Sequence, residues 1–345
     1  MRFTRFTDLI TLTFILTGSA FSYEIEDKKF YKGNQNEELL RIISTADITA
    51  FEPIITAFQK DFQDIDIDYV VASSSEIMKA IYIENAKFDL VISSAMDLQT
   101  KLANDGLAQT YKSIEVEKLP VWAQWRGQVF GFTQEPAVMV ISKQHYGDLP
   151  LPKTRDQFVA LLRQYPDKFR GRIGTYDVTN SGLGYLFATQ DSRNTDSFWR
   201  LTDIMGRLKV KLYCCSGDMI REVSNGQLIF AYNVLGSYAQ NSLKKFPEIE
   251  IVSFDDFSTV MMRTALIPIA SQRPDLAGKM IDFLLKLDSR QDLVALSGLQ
   301  PVTNGNLHED KKTRPIRLGP GLLVFLDRLR KENFIRNWES SIYQE

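Results

Sequence analysis

The sequence predicts an α/β protein built as two lobes, and three observations carry this prediction. Short apolar runs typical of strands alternate with amphipathic helical patterns along most of the chain, an order typical of parallel sheets covered by helices. The chain has 345 residues, which is more than one compact domain usually holds. The alternation is interrupted by an aromatic-rich segment at 107–133 and then resumes, which divides the chain into two α/β units.

The first unit shows the clearest periodicities. Phe51, Ile54, Ile55, Phe58 and Phe62 recur at the spacing of one helix face. The segment 65–71 alternates aspartate with apolar residues, as a half-buried strand does. The predicted elements are a strand at 39–44, the Phe51 helix, a strand at 65–71, a helix at 73–85, a strand at 89–92 and a helix that Gly106 ends.

The second unit repeats the rhythm. Its predicted elements are strands at 138–142, 172–176, 210–213 and 228–233, with helices starting near Thr154 and over 182–190, 195–207 and 217–225. A single strand is predicted at 260–269, followed by helices at 274–286, 289–298 and 321–338. In two such units the carboxyl ends of the strands face each other, so a ligand cleft is expected between the lobes.

Composition and the first residues limit the class of protein. The formal net charge of −2 argues against a general nucleic-acid binder. Arg2 and Arg5 precede a short apolar core at 9–16, and small residues follow at 18–20, which predicts a signal peptide over 1–22. We therefore expect a periplasmic protein. A buried N-terminal helix is the alternative reading of the same pattern.

The cysteines and histidines leave little material for catalysis or metal binding. Cys214 and Cys215 are the only cysteines, so a disulfide framework is excluded. A vicinal disulfide is one reading of the pair, and two unbridged thiols are the favoured one. His145 and His308 have no partner motif, so we expect surface positions and no catalytic triad, cofactor or metal site.

Small, hydroxyl-rich loops follow several of the predicted strands. The segment 174–185, GTYDVTNSGLGY, joins a strand to a helix through a polar turn and two glycines. Free backbone N–H groups and the positive end of the helix dipole favour an anion at such a position. Helix capping and ordinary turn geometry are the alternative roles for these residues.

Six segments of the chain carry a resemblance to a known family. They are ISTADITAFEPIITAF (43–58), DLVISSAMDLQTKLANDG (89–106), WAQWRGQVFGFTQEPAVMVISK (122–143), FRGRIGTYDVTNSGLGYLFATQD (169–191), IFAYNVLGSYA (229–239) and LAGKMIDFLLKLDSRQDLVALSGLQPV (276–302). With these segments the chain resembles the periplasmic solute-binding proteins of ABC transporters, in the branch that binds ferric iron or phosphorylated solutes such as phosphoglycerates and hexose phosphates. The resemblance covers most of the mature chain, from about Leu39 to Trp338.

The resemblance implies binding and delivery rather than catalysis. The implied fold has two lobes, with lobe 1 formed by 38–133 and 262–345 and lobe 2 by 134–261, and with the solute in the cleft between them. The implied partner is an inner-membrane ABC permease. A membrane sensor kinase is a second possible partner, and we expect a monomer.

One departure from the family bears on the ligand. The ferric-binding members have two adjacent tyrosines after the strand that corresponds to 228–233. Here Tyr232 and Tyr238 are six residues apart, and the chain contains no Tyr-Tyr pair. We therefore expect a small anionic organic solute, with phosphorylated compounds included. Ferric iron, a purely sensory role and an enzyme using Cys214 or Cys215 are the alternatives.

Twelve residues are the candidate ligand contacts. They are the loop residues Ser44, Thr45, Ser93, Ser94, Thr179, Ser181 and Gly182, the strand-end residues Tyr232, Asn233 and Ser237, and Arg126 and Glu135. The hydroxyls and N–H groups would bind the anion, Arg126 would pair with it and Asn233 would read a solute hydroxyl. For Arg126, packing over Trp122 is the favoured interpretation, and for Glu135 it is a hinge position or an inter-lobe hydrogen bond, with a contact to a ligand hydroxyl as the second.

Overall fold

The computed structural model describes residues 23–34, 38–302 and 312–344. The predicted signal peptide and His308 lie outside the described residues. The predicted two-lobed α/β fold is confirmed, with two mixed sheets that are each flanked by helices.

The strands of the described chain are β1 (Asp27–Tyr31), β2 (Glu38–Ser44), β3 (Ile65–Val71), β4 (Leu90–Ser93), β5 (Gln124–Trp125), β6 (Val129–Gly131), β7 (Glu135–Ser142), β8 (Ile173–Tyr176), β9 (Lys211–Tyr213), β10 (Phe230–Leu235), β11 (Ile249–Val252), β12 (Ser258–Met261), β13 (Thr264–Leu266) and β14 (Thr313–Pro315).

The helices are α1 (Ile48–Asp61), α2 (Ser74–Tyr82), α3 (Met96–Asn104), α4 (Ile114–Glu117), α5 (Lys143–Tyr146), α6 (Arg155–Gln164), α7 (Pro166–Phe169), α8 (Gly182–Asn194), α9 (Ser197–Arg207), α10 (Ser216–Ser224), α11 (Gly236–Ser242), α12 (Pro274–Leu285), α13 (Gln291–Ser297) and α14 (Arg328–Ile342). Short 3-10 helices lie at Val121–Ala123, Leu287–Ser289 and Pro320–Leu326. Among the described residues, no helix combines the length and apolar content that a membrane span requires.

The first sheet has the strand order β1-β3-β2-β4-β13-β6-β5. Its central strands β2, β3 and β4 run parallel, as the β-α-β alternation predicts, while β1 and β13 pair antiparallel at either side. We call this sheet and the helices packed on it lobe 1. Helix α1 places Phe51, Ile54, Ile55 and Phe58 in its core, as their spacing predicted, whereas Phe62 caps the helix and packs at the edge of the core.

The second sheet has the strand order β14-β12-β7-β10-β8-β9, and β11 also pairs with β7. Strands β8, β9 and β10 are parallel, and β7 runs antiparallel to β10, β11 and β12. We call this sheet and its helices lobe 2. Its core is rich in aromatic side chains: Phe230 contacts Phe158 and Phe169, with ring centroids 5.0 and 4.9 Å apart.

Two neighbouring extended segments pass between the sheets, and the chain crosses a third time between α13 and β14. It leaves lobe 1 after β6 and enters lobe 2 at Glu135, and it returns between β12 and β13. The sequence predicted one strand at 260–269, but Met262 and Arg263 separate two strands that belong to different sheets. A continuous apolar run does not reveal a change of partner sheet, because each half is extended and buried in its own lobe.

The prediction placed all of 262–345 in lobe 1, but β14 and α14 belong to lobe 2. Strand β14 pairs with β12 of lobe 2, and α14 packs against α9. Phe334 contacts Phe198 and Trp199, and Trp338 is buried in the same core. Tyr185 fixes the preceding turn by donating its hydroxyl proton to the Phe325 carbonyl at 2.5 Å. The apolar face of α14 therefore completes lobe 2.

Candidate functional site

A cleft of about 770 Å³ lies between the lobes, at the carboxyl ends of β2, β3, β8 and β10. The lobes touch along its walls. Ser75 on α2 donates its hydroxyl proton to the Asn180 carbonyl at 3.0 Å, and the Asp47 N–H donates to the Tyr238 hydroxyl oxygen at 3.2 Å. A small molecule in this cleft would contact both lobes.

Three helices begin at the cleft: α2 from lobe 1, and α8 and α10 from lobe 2. Their first-turn residues Ser74, Ser75, Leu183, Ser216 and Gly217 line it. Within the described part of the chain, the backbone N–H groups of these five residues have no hydrogen-bond partner. Three helix N-termini together supply positive potential and free donors at one place.

Four of the predicted contacts line the cleft, namely Thr45, Ser94, Thr179 and Ser181. The Ser181 hydroxyl oxygen accepts the Gly184 N–H at 3.1 Å, so it caps α8 while its own proton can be donated elsewhere. Thr179 is committed to its own loop, because Asp177 accepts both its N–H (2.8 Å) and its hydroxyl proton (2.6 Å). The Asp177 carboxylate thus occupies two hydrogen-bond donors of the loop that was predicted to bind the anion.

Ser44 and Ser93 are buried beside the cleft instead of lining it. Their hydroxyl oxygens accept the N–H groups of Ala46 and Ala95 at 3.0 and 3.1 Å. Each serine ends a strand, and the next residue, Thr45 or Ser94, points to the other side. The sequence pattern identified loops that do border the cleft. The alternation of side chains at the end of each strand determines which hydroxyl of each loop reaches it.

Glu135 and Ser237 do not line the cleft, because both are buried in an ion-pair network with Arg263. Arg263, which is completely buried, donates from Nε to Glu135 Oε1 at 3.1 Å, and the Ser237 hydroxyl donates to Glu135 Oε2. Arg263 also donates from Nη1 to Thr45 Oγ1 at 3.3 Å. Glu135, for which a hinge position or an inter-lobe hydrogen bond was the favoured interpretation, lies beside both crossing segments.

The sequence reasoning missed Arg263. Nothing in the segment around it distinguishes a functional arginine, and its importance comes from the two crossing segments being adjacent. Burial and the Glu135 carboxylate oppose each other in their effect on its pKa, and the net direction is upward, so the guanidinium stays charged.

Tyr232 and Asn233 belong to a buried network inside lobe 2 and do not line the cleft. Asp191 Oδ2 accepts the Tyr232 hydroxyl at 3.0 Å and the Asn233 Nδ2 amide at 2.9 Å. Asn233 has a φ of +61° where the register between β10 and β7 shifts, and this bulge turns its side chain toward Asp191. The cleft instead contains Tyr176 and Tyr238, which the sequence analysis did not select.

Arg126 and Gly182 are also absent from the cleft lining. Arg126 is exposed in the turn between β5 and β6, and its guanidinium stacks on Trp125 at 4.9 Å. Gly182 lies at the contact between lobes, where a Cβ atom would be 2.6 Å from Ser74 Oγ and 2.8 Å from Leu98 Cδ1. Its function in the structure is close packing of α8 against α2 and α3.

Comparison with known proteins assigns the family. The family model of bacterial extracellular solute-binding proteins matches residues 43–208. A solved substrate-binding protein of an ABC transporter from Agrobacterium tumefaciens is 31% identical, with a TM-score of 0.86, and the match covers 92% of this chain and 98% of that one. The chain belongs to the substrate-binding proteins of ABC transporters.

Two other solved structures share the fold with this solute-binding protein. Iron-bound HitA from Pseudomonas aeruginosa is 15% identical, with a TM-score of 0.67 over 88% of this chain and 99% of that one. AfuA from Actinobacillus pleuropneumoniae, solved with fructose-6-phosphate bound, is 14% identical, with a TM-score of 0.73 over 90% and 100%. Comparison with curated proteins finds no match. The family and these neighbours are binding proteins rather than enzymes.

The lining of this solute-binding protein's cleft contains more acidic than basic side chains. The acids are Glu24, Glu26, Asp47, Glu76 and Asp218, and the bases are Arg221 and Lys245. Partial desolvation raises the pKa of Glu26, and the Asp47 and Asp218 carboxylates raise it further. Burial also raises the pKa of Asp47, although Arg263 opposes the effect. Carboxylates from both lobes thus face the same space.

The bonding state of the two cysteines differs from the one predicted from the sequence. We favoured two unbridged thiols, but Cys214 and Cys215 form a disulfide, and both residues line the cleft just before α10. Together with Asp218 they are the group of metal-ligating residue types found in the described chain, and their potential ligand atoms lie within 4.8 Å of one another. As a disulfide the two sulfurs are not thiolates, which are the form that binds metals.

Proposed function

We propose that this solute-binding protein captures a small organic solute that carries one anionic group and several hydroxyl or other donor groups, and delivers it to an inner-membrane ABC permease. The observation that carries the proposal is the meeting of the α2, α8 and α10 N-termini at the cleft. A phosphate or carboxylate there would accept hydrogen bonds from N–H groups that have no partner in the described chain.

The acidic side chains of the cleft restrict how negative charge can be distributed on the solute. Five carboxylates against two basic groups would repel a solute charged along its whole length. Carboxylates accept hydrogen bonds from hydroxyls, so they suit the uncharged part of a sugar phosphate or phosphoglycerate. We infer a division of the cleft, in which the N-terminus of α8, whose first turn contains no acidic residue, holds the anionic end. The carboxylates in the first turns of α2 and α10, Glu76 and Asp218, would contact the donor-rich body together with the other acids.

Two features support an organic anion over ferric iron. The tyrosines that line the cleft, Tyr176 and Tyr238, come from different elements, and burial raises the pKa of both hydroxyls. Each hydroxyl is also already hydrogen-bonded, Tyr176 with Ser216 and Tyr238 with the Asp47 N–H. A ferric site needs deprotonated oxygen ligands held together.

The test is a thermal-shift screen of purified protein followed by calorimetric titration. The panel contains sugar monophosphates, phosphoglycerates, the matching unphosphorylated sugars, tricarboxylates and ferric citrate. We expect a hydroxylated monoanionic or monophosphorylated compound to stabilise the protein, by about 2.7 kcal/mol at 100 times its dissociation constant. Stabilisation by ferric citrate with a visible tyrosinate band, or by tricarboxylates alone, would contradict the proposal.

The proposed location has its own test. We propose that residues 1–22 direct export to the periplasm and are removed near residue 20 or 22. Intact-mass measurement of the protein from the periplasmic fraction should give a chain that lacks them. A full-length mass with Met1 in the cytosolic fraction would refute this.

A further inference from the structure

We propose that the Cys214–Cys215 disulfide is a thiol–disulfide exchange site in the cleft, at which a low-molecular-weight thiolate attacks Cys214 Sγ and expels Cys215 as a thiolate. The proposal concerns the disulfide alone and does not depend on which solute the cleft takes.

Access to the disulfide comes from its position. Both cysteines line the cleft, Cys214 is exposed and Cys215 is partly buried. An external thiolate can therefore approach Cys214 Sγ more readily than Cys215 Sγ. Gly217, two residues further on, has no atom within 4 Å of where a Cβ would lie, so the neighbouring surface is also open.

The choice of leaving group follows from the local electrostatics. Cys215 is the N-cap residue of α10, and the next N–H groups, those of Ser216 and Gly217, have no partner in the described chain. A thiolate at a helix N-terminus is stabilised by these donors and by the helix dipole. The Asp218 carboxylate lies near both sulfurs, with Oδ2 3.8 Å from Cys214 Sγ and a carboxylate oxygen within 4.8 Å of Cys215 Sγ, so the position of Cys215 at the helix N-terminus is what distinguishes the two thiolates.

The exchange balances without any other reactant. A thiolate RS⁻ forms an S–S bond to Cys214 while the Cys214–Cys215 bond breaks and its electron pair stays on Cys215. A second RS⁻ then attacks the sulfur of R, which releases RSSR and leaves two reduced cysteines. The sulfur that leaves more readily is the one whose thiolate is more stable, which points to Cys215 in the first step.

The first experiment locates the mixed disulfide. Purified oxidised protein is treated with reduced glutathione at pH 7, quenched with iodoacetamide and mapped by peptide mass spectrometry. We expect glutathione on Cys214 and the alkyl group on Cys215, with at least a tenfold excess over the reverse pattern. The reverse pattern, or reaction only in unfolding concentrations of urea, would overturn the proposal.

The second experiment uses the matched single variants C214S and C215S, each of which leaves one thiol. Alkylation with the neutral reagent iodoacetamide is followed against pH, so that the midpoint reports the thiolate and is insensitive to access. We expect the midpoint for Cys215 to lie at least one pH unit below that for Cys214. Equal midpoints or the opposite order would refute the assignment of the leaving group.

Discussion

Thr45 shows how one side chain can take part in both the scaffold and the cleft. Its hydroxyl oxygen accepts hydrogen bonds from the Ser94 N–H at 3.1 Å and from Arg263 Nη1 at 3.3 Å, and the residue also lines the cleft. A solute contact at Thr45 would therefore involve the buried Arg263–Glu135 pair. Single residues in this protein combine structural and binding contacts, so variants need controls that separate the two.

Ser181 allows such a separation. We expect S181A to weaken solute binding about tenfold or more, because a hydroxyl donor to a charged acceptor is lost. It should also lower the free energy of unfolding by about 1 kcal/mol, because the α8 cap is lost. Calorimetric titration with the solute from the screen and urea unfolding measure the two effects.

The matched control is T154A. Thr154 caps α6 of the same lobe by accepting the Gln157 N–H at 3.2 Å, and it does not line the cleft. T154A should lose a similar free energy of unfolding and keep full affinity. A loss of affinity in both variants would show that cap loss alone explains S181A.

The buried Asp97 carboxyl should make the free energy of unfolding of this protein depend on pH. It is buried at the start of α3, and burial raises its pKa from 3.8 to about 7. Because the pKa is raised on folding, the folded state holds the proton more tightly. Protonated Asp97 therefore stabilises the folded state, fully below about pH 4, and this contribution is lost as the pH rises through about 7. The free energy of unfolding should fall by on the order of 4 kcal/mol over this range.

The variant D97N removes this titration. We expect D97N to be more stable than wild type at pH 8 and to gain less stability than wild type on going from pH 8 to pH 5. Urea unfolding at both pH values measures the difference between the two proteins. Parallel changes in wild type and variant would mean that Asp97 titrates as an ordinary exposed carboxyl.

At the scale of elements, the contact of α8 with α2 and α3 joins the lobes at the cleft. Gly182 permits this contact, since an added Cβ would be 2.6 Å from Ser74 Oγ and 2.8 Å from Leu98 Cδ1. We expect G182A to separate the helices and weaken solute binding at least tenfold. G182D should be worse, since it also adds a negative charge at a helix N-terminus.

The matched control is G321A, at an exposed glycine of the 3-10 helix before α14 that does not line the cleft. A Cβ there meets nothing within 4 Å, so affinity should stay unchanged. Calorimetry of G182A and G321A with the same solute makes the comparison, and small-angle scattering should show a more open G182A. Unchanged affinity in both would mean that close contact at α8 is not required for capture.

At the scale of the whole molecule, the Arg263–Glu135 pair fixes the two crossing segments to each other. Both side chains are almost fully buried, and they contact Thr45 in lobe 1 and Ser237 in lobe 2. We expect R263M to lower the free energy of unfolding by about 3–5 kcal/mol, because it leaves the Glu135 carboxylate buried without its counter-charge. Urea unfolding measures this loss.

Two further variants show whether the loss of stability in R263M comes from an uncompensated buried charge. R263M/E135Q should recover much of the loss, because the uncompensated charge is gone. R290M removes an exposed ion pair with Asp292 and should leave stability nearly unchanged. If R263M and R263M/E135Q are equally unstable, the loss reflects packing of the arginine rather than a buried charge.

The α/β class, the two-lobed arrangement and the hydroxyl-rich loops at the strand ends could be predicted from the order of residues alone. These follow from periodicity and turn composition, which are local properties: the spacing of Phe51–Phe58, the alternation in Ile65–Val71 and the glycines that open α8 each act within one or two elements. Loops after parallel strands also share one edge of a sheet, so Thr45 and Ser94 could be expected together.

Which side chains reach the cleft, and what surrounds them, depends on how the elements pack in three dimensions. The division of 258–266 between two sheets, the docking of α14 on lobe 2 and the Asp191 network that takes Tyr232 and Asn233 all depend on partners distant in sequence. Arg263 meets Glu135 across 128 residues, and Ser75 meets Asn180 across 105. Such contacts are set by the packing of whole elements, because the local pattern of a segment does not specify which distant segment will lie beside it.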